Sequence, residues 1–342
     1  MTEMKKKSTA FKTLLIDFLL ASYLVLCIDS FIFTRHTMEN GIDWASFGVV
    51  LLIGLILGLI LNRVSKLSIG KMFLKEYDTS KARGIGQKPY AILGLVILAV
   101  TFYVGVLVTE LSFYEFFSQA GIQGATRIFT ALLNPNFEVL DQGILAVIET
   151  IYMAFIATAF SLPFAFLLSF FAARNLMNGS GFGLTVYYVI RFFLNVSRSI
   201  EPLVWAIIFS VWVGIGPFAG MLALMIHSVS SLAKLYSEQI ENISEGPLEA
   251  MTATGAHPIQ VIWYGVVPQV ILPFLSFTIY RWDINVRMAT VIGLVGGGGI
   301  GTLLMQFQGL ARWNEVGLLI IIIAAVVWLM DFLSSKIRES IK

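Results

Sequence analysis

Charge is what this sequence has least of: 13% of its 342 residues are Asp, Glu, Lys or Arg, against roughly 25% in soluble domains. A single cysteine, Cys27, excludes an internal disulfide, and its place in an apolar run marks it as packing. The three histidines, His36, His227 and His257, show no metal-ligand spacing. No Gly-x-x-x-x-Gly-Lys-Ser/Thr string occurs, so the phosphate-cradling loop of an ATPase is missing. No His/Cys/Asp/Glu cluster has catalytic or ligand spacing, which sets a membrane-embedded enzyme aside. A net charge of +2 gives no reason to expect nucleic acid as a partner.

What fills the space is apolar: 57% hydrophobic residues and a mean hydropathy of +0.83. Lipid is therefore the expected solvent. A helix crosses a bilayer with about 20 apolar residues. Eight such runs are expected, near 13–33, 44–61, 90–109, 143–172, 184–212, 217–237, 266–292 and 315–333. The first follows Lys5-Lys6-Lys7 and resembles a secretory signal, but it is too long and lacks a small-x-small cleavage site. A retained transmembrane helix is expected there.

Basic residues orient such a chain, because short cytoplasmic segments collect Lys and Arg. With the N-terminus inside, Lys5, Lys6, Lys7 and Lys12, the seven basic residues from Arg63 to Lys88, Arg174, Lys234, Lys336, Arg338 and Lys342 are cytoplasmic. Only Arg35, Arg127 and Arg312 fall outside. Both termini are thus expected in the cytoplasm of a multi-pass cell-membrane protein. Residues 1–110 read as a three-helix extension and 111–142 as an extracytoplasmic connector broken at Asn134-Pro135-Asn136. Phe113, Tyr114, Phe116 and Phe117 leave two readings of that connector: an interfacial segment on the outer leaflet, or a partly helical link. Residues 143–335 carry every motif below.

The segment 238–268 reads unlike a loop. Gly246-Pro247 stops one helix and starts another, since glycine suits a helix end and proline a first turn. A short helix from Leu248 to Thr254 is expected, ended by Gly255, with Pro258 opening the next. This spacing resembles the EAA loop of type I ABC importer permeases: Glu-Ala-Ala, three residues, Gly, nine residues, Ile-x-Leu-Pro. Glu249, Ala250, Gly255 and Pro268 fall in register, while Met251, Gly265 and Val267 depart from it. The resemblance implies an all-α integral membrane protein whose five-helix permease core follows the three N-terminal helices. It implies that the short helix docks on a separate ATP-binding subunit and that this chain is a non-catalytic permease without a cofactor.

Further strings narrow the resemblance. Arg198 to Leu224 (RSIEPLVWAIIFSVWVGIGPFAGMLAL) and Tyr280 to Gly301 (YRWDINVRMATVIGLVGGGGIG) look like phosphonate-transport permeases over roughly residues 138–335. That family implies import of phosphonate or a related phosphorus oxyanion (phosphite, hypophosphite or phosphate). The implied partners are two ATP-binding cassette subunits, an extracytoplasmic substrate-binding protein and a second permease copy or a paralogue. Another type I permease, for a solute such as an amino acid, would share the EAA loop. An ion-coupled secondary transporter would instead show inverted repeats, which are not seen.

Two features bear on a path. Gly296, Gly297, Gly298 and Gly299 read either as a flexible break forming an outer gate or as a re-entrant turn. Four arginines, Arg191, Arg198, Arg281 and Arg287, lie in apolar runs, where each charge costs about 2.5–3.5 kcal/mol on insertion scales. Helical spacing puts Arg191, Asn195, Arg198 and Pro202 on one stripe, and Asp283 with Arg287 four apart on another helix; Arg281 and Asn285 share that helix's other face. Either Arg198 with Glu201 and Asp283 with Arg287 are paired charges locking the bundle, or some of these arginines line a path for an oxyanion. Arg198 is the expected path residue and Arg287 the expected structural one.

Overall fold

The structure is a computed structural model that describes residues 2–29, 44–64, 68–73 and 89–341. Arg35, His36, Lys66, Lys342 and the basic residues expected within 74–88 lie outside the described residues. All elements among the described residues are helical, and the chain divides into two compact units, 1–122 and 123–342.

The first unit holds α1 (Thr2–Cys27), α2 (Trp44–Arg63), the short α3 (Ile69–Phe73), α4 (Pro89–Val108) and α5 (Phe113–Phe117). Its polar anchor is Asp17 of α1, buried to 2% exposure. Asp17 accepts hydrogen bonds from Asn62 Nδ2 at 2.9 Å, Ser68 Oγ at 2.5 Å and the Gly70 N–H at 2.9 Å. A carboxylate surrounded by three donors fixes the end of α2 and the start of α3 against α1. The aromatic side chains of α5 are exposed, and α6 (Gln119–Leu132) follows, spanning the division between the units.

The second unit is a helical bundle. After the break at Asn134-Pro135-Asn136, a 3-10 turn (Phe137–Val139) leads into α7 (Leu140–Phe171). Then come α8 (Arg174–Met177), α9 (Gly181–Ser199), α10 (Pro202–Val213), α11 (Pro217–Glu241), α12 (Gly246–Ala253) and α13 (Pro258–Val261). A π-turn (Ile262–Val266) joins α13 to α14 (Val267–Gly293), followed by α15 (Gly299–Gly309) and α16 (Trp313–Ile341). Helix α7 packs on α11 along its length, and α14 lies against both. Alanines at the contact (Ala154, Ala157, Ala219, Ala223 and Ala289, all fully buried) let the backbones approach closely, the usual packing device in lipid.

Four helical stretches are long and apolar enough to cross a bilayer: 137–171, 217–241, 258–293 and 313–341. The α9–α10 pair makes a fifth span if counted as one, and α2 and α4 carry shorter apolar stretches. The count is therefore four or five among the described residues.

Two expectations change. The single helix expected over 184–212 is two helices bent by 90°. Pro202 opens α10, and Glu201 before it is extended (φ −61°, ψ 145°), as a residue preceding proline prefers. Pro202 therefore leaves the Arg191–Asn195–Arg198 stripe. The stretch between the last two expected spans also contains a helix, α15, entered through the glycine run. Three of those glycines, Gly296, Gly298 and Gly299, have positive φ, and the turn is tightly packed.

A Cβ on Gly293 would lie 2.6 Å from the Gly298 carbonyl oxygen and 2.7 Å from Gly301 Cα. Overpacking of this kind typically costs about 1–3 kcal/mol. Gly293→Ala is therefore expected to lower the melting temperature of the detergent-solubilised protein. Gly309→Ala, with nothing within 4 Å of the new methyl, is expected to leave it unchanged.

Candidate functional site

The short helix α12 stands out from the bundle. Its inner side is fixed by Leu248, which packs with Ile243, Ile262 and Val267 against a core of Val266, Val270 and Phe274. Gln269 clamps its base: Oε1 accepts from the Ser244 N–H at 3.2 Å and Ser244 Oγ at 2.9 Å, and Nε2 donates to the Gly265 carbonyl at 2.7 Å. Gly255 turns the chain with φ +76°, a conformation most side chains resist. Next, His257 and Gln260 form a reciprocal capping box at the start of α13. Glu249 and Ala250 are left exposed on the outward face, near Ile259, Trp263 and Tyr264, which are also exposed. Glu249, Ala250 and Gly255 thus share one short helix and its C-terminal turn. Pro268 stands apart, in the first turn of α14.

Two features here were missed in the sequence. The Gln269 clamp carries no local signal, because its partner is 25 residues away. The capping box was legible, since His-Pro-x-Gln places a side-chain acceptor before a proline and a glutamine at the third helical position.

At mid-bundle the polar residues converge on α14. Asn285, fully buried, donates from Nδ2 to Thr158 Oγ1 of α7 at 2.8 Å and to Ser228 Oγ of α11 at 2.8 Å. Ser228 also receives Arg281 Nε at 3.1 Å. Arg281 and Asn285 do share a face, as their spacing predicts. Thr158 and Ser228 were overlooked as candidates, although small polar residues inside apolar runs are a packing signal. On the other face Arg287 Nη2 donates to Asp283 Oδ2 at 2.8 Å, and Nη1 lies 3.5 Å from Asp331 Oδ1 of α16. Asp283 is 3% exposed.

The other two arginines separate. Arg191 Nη2 reaches both oxygens of Glu241 at 3.0 Å, and its Nε donates to the Ala172 carbonyl at 3.2 Å, tying α9 to the ends of α7 and α11. Arg198 and Glu201 flank the α9–α10 bend, both exposed, and form no ion pair among the described residues. The pairing that was one of the two readings for them is absent among the described residues, because Pro202 pulls Glu201 out of helical register.

At the far end of α14, the glycine turn borders a concavity of about 540 Å³ lined by Gln142, Glu149, Ile215, Pro217, Thr302 and Gln306 together with Gly296, Gly298 and Gly299. Gly297 does not line it; a side chain there would meet Ile292. Glu149 Oε1 accepts the Gly299 N–H at 3.2 Å and Thr150 Oγ1 the Ile300 N–H at 2.9 Å, so α7 caps α15. Among the described residues no group of three His, Cys, Asp or Glu side chains could hold a metal ion.

The Asp283–Arg287 contact generates a direct test. Arg287→Gln leaves the buried Asp283 carboxylate without its 2.8 Å partner, so lower membrane abundance and a lower melting temperature are expected. Adding Asp283→Asn removes the orphaned charge and is expected to restore both, measured by quantitative blotting and thermal unfolding in detergent.

Comparisons with known proteins give the chain relatives and a fold. A phosphite transport system permease protein, PtxC of Stutzerimonas stutzeri, is 36% identical over 271 residues, which are 79% of this chain and 94% of that protein. A match of that length begins no later than about residue 72 and ends no earlier than about residue 271, so it includes α4 and the connector as well as α7 to α13. A phosphate-import permease protein, PhnE of Mycolicibacterium smegmatis, is 32% identical over 213 residues, 62% of this chain and 39% of that protein. Among solved structures, an inward-facing form of the MetNI methionine ABC transporter superposes with a TM-score of 0.50 at 21% identity, covering 60% of this chain and 96% of that one; it shares the fold. The family model for binding-protein-dependent transport system inner membrane components matches residues 165–339. With the exposed α12 knob, the Gly255 turn and helices α8 to α15 all inside that span, the chain belongs to this family of ABC importer permeases.

Proposed function

We propose that this chain is the permease subunit of an ATP-driven importer for phosphite, phosphonate or a related phosphorus oxyanion. The observation that carries the reading is the exposed helix α12, with Glu249 and Ala250 facing outward on a base held by Gln269 and Leu248. A rigid knob of this kind suits contact with a soluble ATPase. The likeness to permeases named for phosphite and phosphate transport supports the cargo class.

In this reading two copies of the permease, or one copy and a paralogue, assemble with two ATP-binding cassette subunits, and an extracytoplasmic binding protein delivers the anion. ATP is hydrolysed on the cassette subunits, and closure of their dimer pushes on α12. Eight spans place both termini and α12 in the cytoplasm and the glycine turn at the outer surface. The concavity beside Gly296, Gly298 and Gly299 then faces the binding protein as an outer gate. The Asp283–Arg287 pair holds α14, while Arg198 and Arg281 are left to meet cargo.

Glu249→Lys inverts the outward charge of α12, and Gly255→Val forces a β-branched residue into positive φ. Both variants are expected to insert normally, yet to assemble poorly with the ATPase or to leave its activity unstimulated by the binding protein. Normal uptake by both would remove the coupling role. For topology, single cysteines within 74–88 are expected to react with an impermeant maleimide only after permeabilisation, and those within 120–136 from outside. Labelling of residue 75 in intact cells would contradict the orientation.

A further inference from the structure

Of the four intramembrane arginines, Arg191 and Arg287 each hold a carboxylate, at 3.0 and 2.8 Å. Arg198 and Arg281 hold none among the described residues. For Arg281 this is physically expensive. It is only 7% exposed, its Nε is engaged by Ser228, and its Nη2 is buried without a hydrogen-bond partner among the described residues. A buried guanidinium without a counter-charge is costly unless something else supplies one.

The surroundings supply no counter-charge among the described residues. His227, beside Ser228 on α11, has Nδ1 3.2 Å from the Ile200 carbonyl at the α9–α10 bend. Arg198 precedes Ile200 by two residues, so His227 ties the bend that carries Arg198 to the stretch of α11 that holds Arg281. Glu201 pairs with neither arginine, and Asp283, two residues from Arg281, is held by Arg287. Meanwhile Arg281 does not wander, because Ser228 is held by Asn285 and Asn285 by Thr158.

We propose that Arg281 and Arg198 form a transient binding station for the tetrahedral oxyanion inside the membrane, with Arg281 Nη2 as the donor reserved for the cargo. This rests on the reading of the chain as an importer of phosphorus oxyanions. A guanidinium presents planar, directional donors to such oxygens. Nη2 is covered in the conformation described, so the anion reaches it when α11 and α14 separate from the bend. Ser228 and Asn285 are positioning residues. A station with two cationic arms and no closed cage retains an anion weakly, as a permease must.

The test uses the full complex, with its ATPase subunits and binding protein, in proteoliposomes supplied with radiolabelled phosphite and, in parallel, phosphate and methylphosphonate. Arg281→Gln and Arg198→Gln are each expected to lower the uptake rate by about tenfold or more, the scale of one lost charged hydrogen bond. Assembly and binding-protein-stimulated ATP hydrolysis are expected to stay at wild-type levels, so transport per ATP falls. Arg281→Lys, which keeps the charge, is expected to recover part of the rate. A merely structural role would lower assembly and ATP hydrolysis together with uptake in both variants and would overturn the proposal. Should Arg281→Gln fail to assemble, Arg198→Gln decides, because its side chain is exposed and supports no packing. Wild-type uptake by an assembled Arg198→Gln complex overturns the proposal while leaving the importer reading intact. A wild-type complex that carries none of the three anions removes the importer reading, and the station with it.

Discussion

The bundle depends on one buried amide. Asn285 of α14 donates to Thr158 of α7 and to Ser228 of α11, so three helices meet at a single side chain. Inside a bilayer no water is available to replace those bonds, and interhelical hydrogen bonds of this type contribute about 0.6–2 kcal/mol each. Their energy is modest, but their directionality sets depth and rotation for all three helices at once. The alanines around them, Ala154, Ala157, Ala223 and Ala289, then allow close van der Waals contact. Larger side chains at those positions would hold the helices too far apart for the amide to reach both hydroxyls.

From that node the rest of the molecule can be followed outward along α14. Toward one end, the π-turn at Ile262–Val266 leads to α13 and α12. A π-turn inserts an extra residue into the helical ladder and is common at functional sites. Because α12 is clamped to α14 by Gln269 and Leu248, a force on α12 is delivered into the helix that carries Arg281, Asp283 and Asn285. Toward the other end, α14 runs into the glycine turn, whose conformation is fixed by contacts with α7 and with α15. One continuous helix thus connects the exposed knob, the polar centre and the lined concavity.

Much of this was legible in the sequence, for reasons that differ by element. The knob was readable because Gly246-Pro247, Gly255 and Pro258 impose helix ends by local sterics, and local sterics do not depend on the partner. Asp283 with Arg287 was readable because residues four apart on a helix meet without tertiary help. The 90° bend at Ile200–Glu201 was not foreseen in the single span expected over 184–212, since apolar composition alone cannot tell a kinked span from two helices. Helix α15 was hidden for the opposite reason: a run of glycines reads as flexible until close packing against Thr150 and Gly301 is seen. The partners of Arg191 and Arg281 were invisible because Glu241 and Ser228 lie 50 and 53 residues away in sequence. Long-range pairing of polar groups is a property of the bundle, and single-helix periodicity carries no trace of it.

We propose that oxyanion movement through this chain is driven by ATP on a separate subunit. The most direct measurement is accumulation of radiolabelled phosphite by vesicles containing the reconstituted complex, with the binding protein on one side and MgATP on the other. The account predicts accumulation that requires both and persists when ionophores collapse proton and sodium gradients. Accumulation that continues without ATP and vanishes with the ionophores would contradict it.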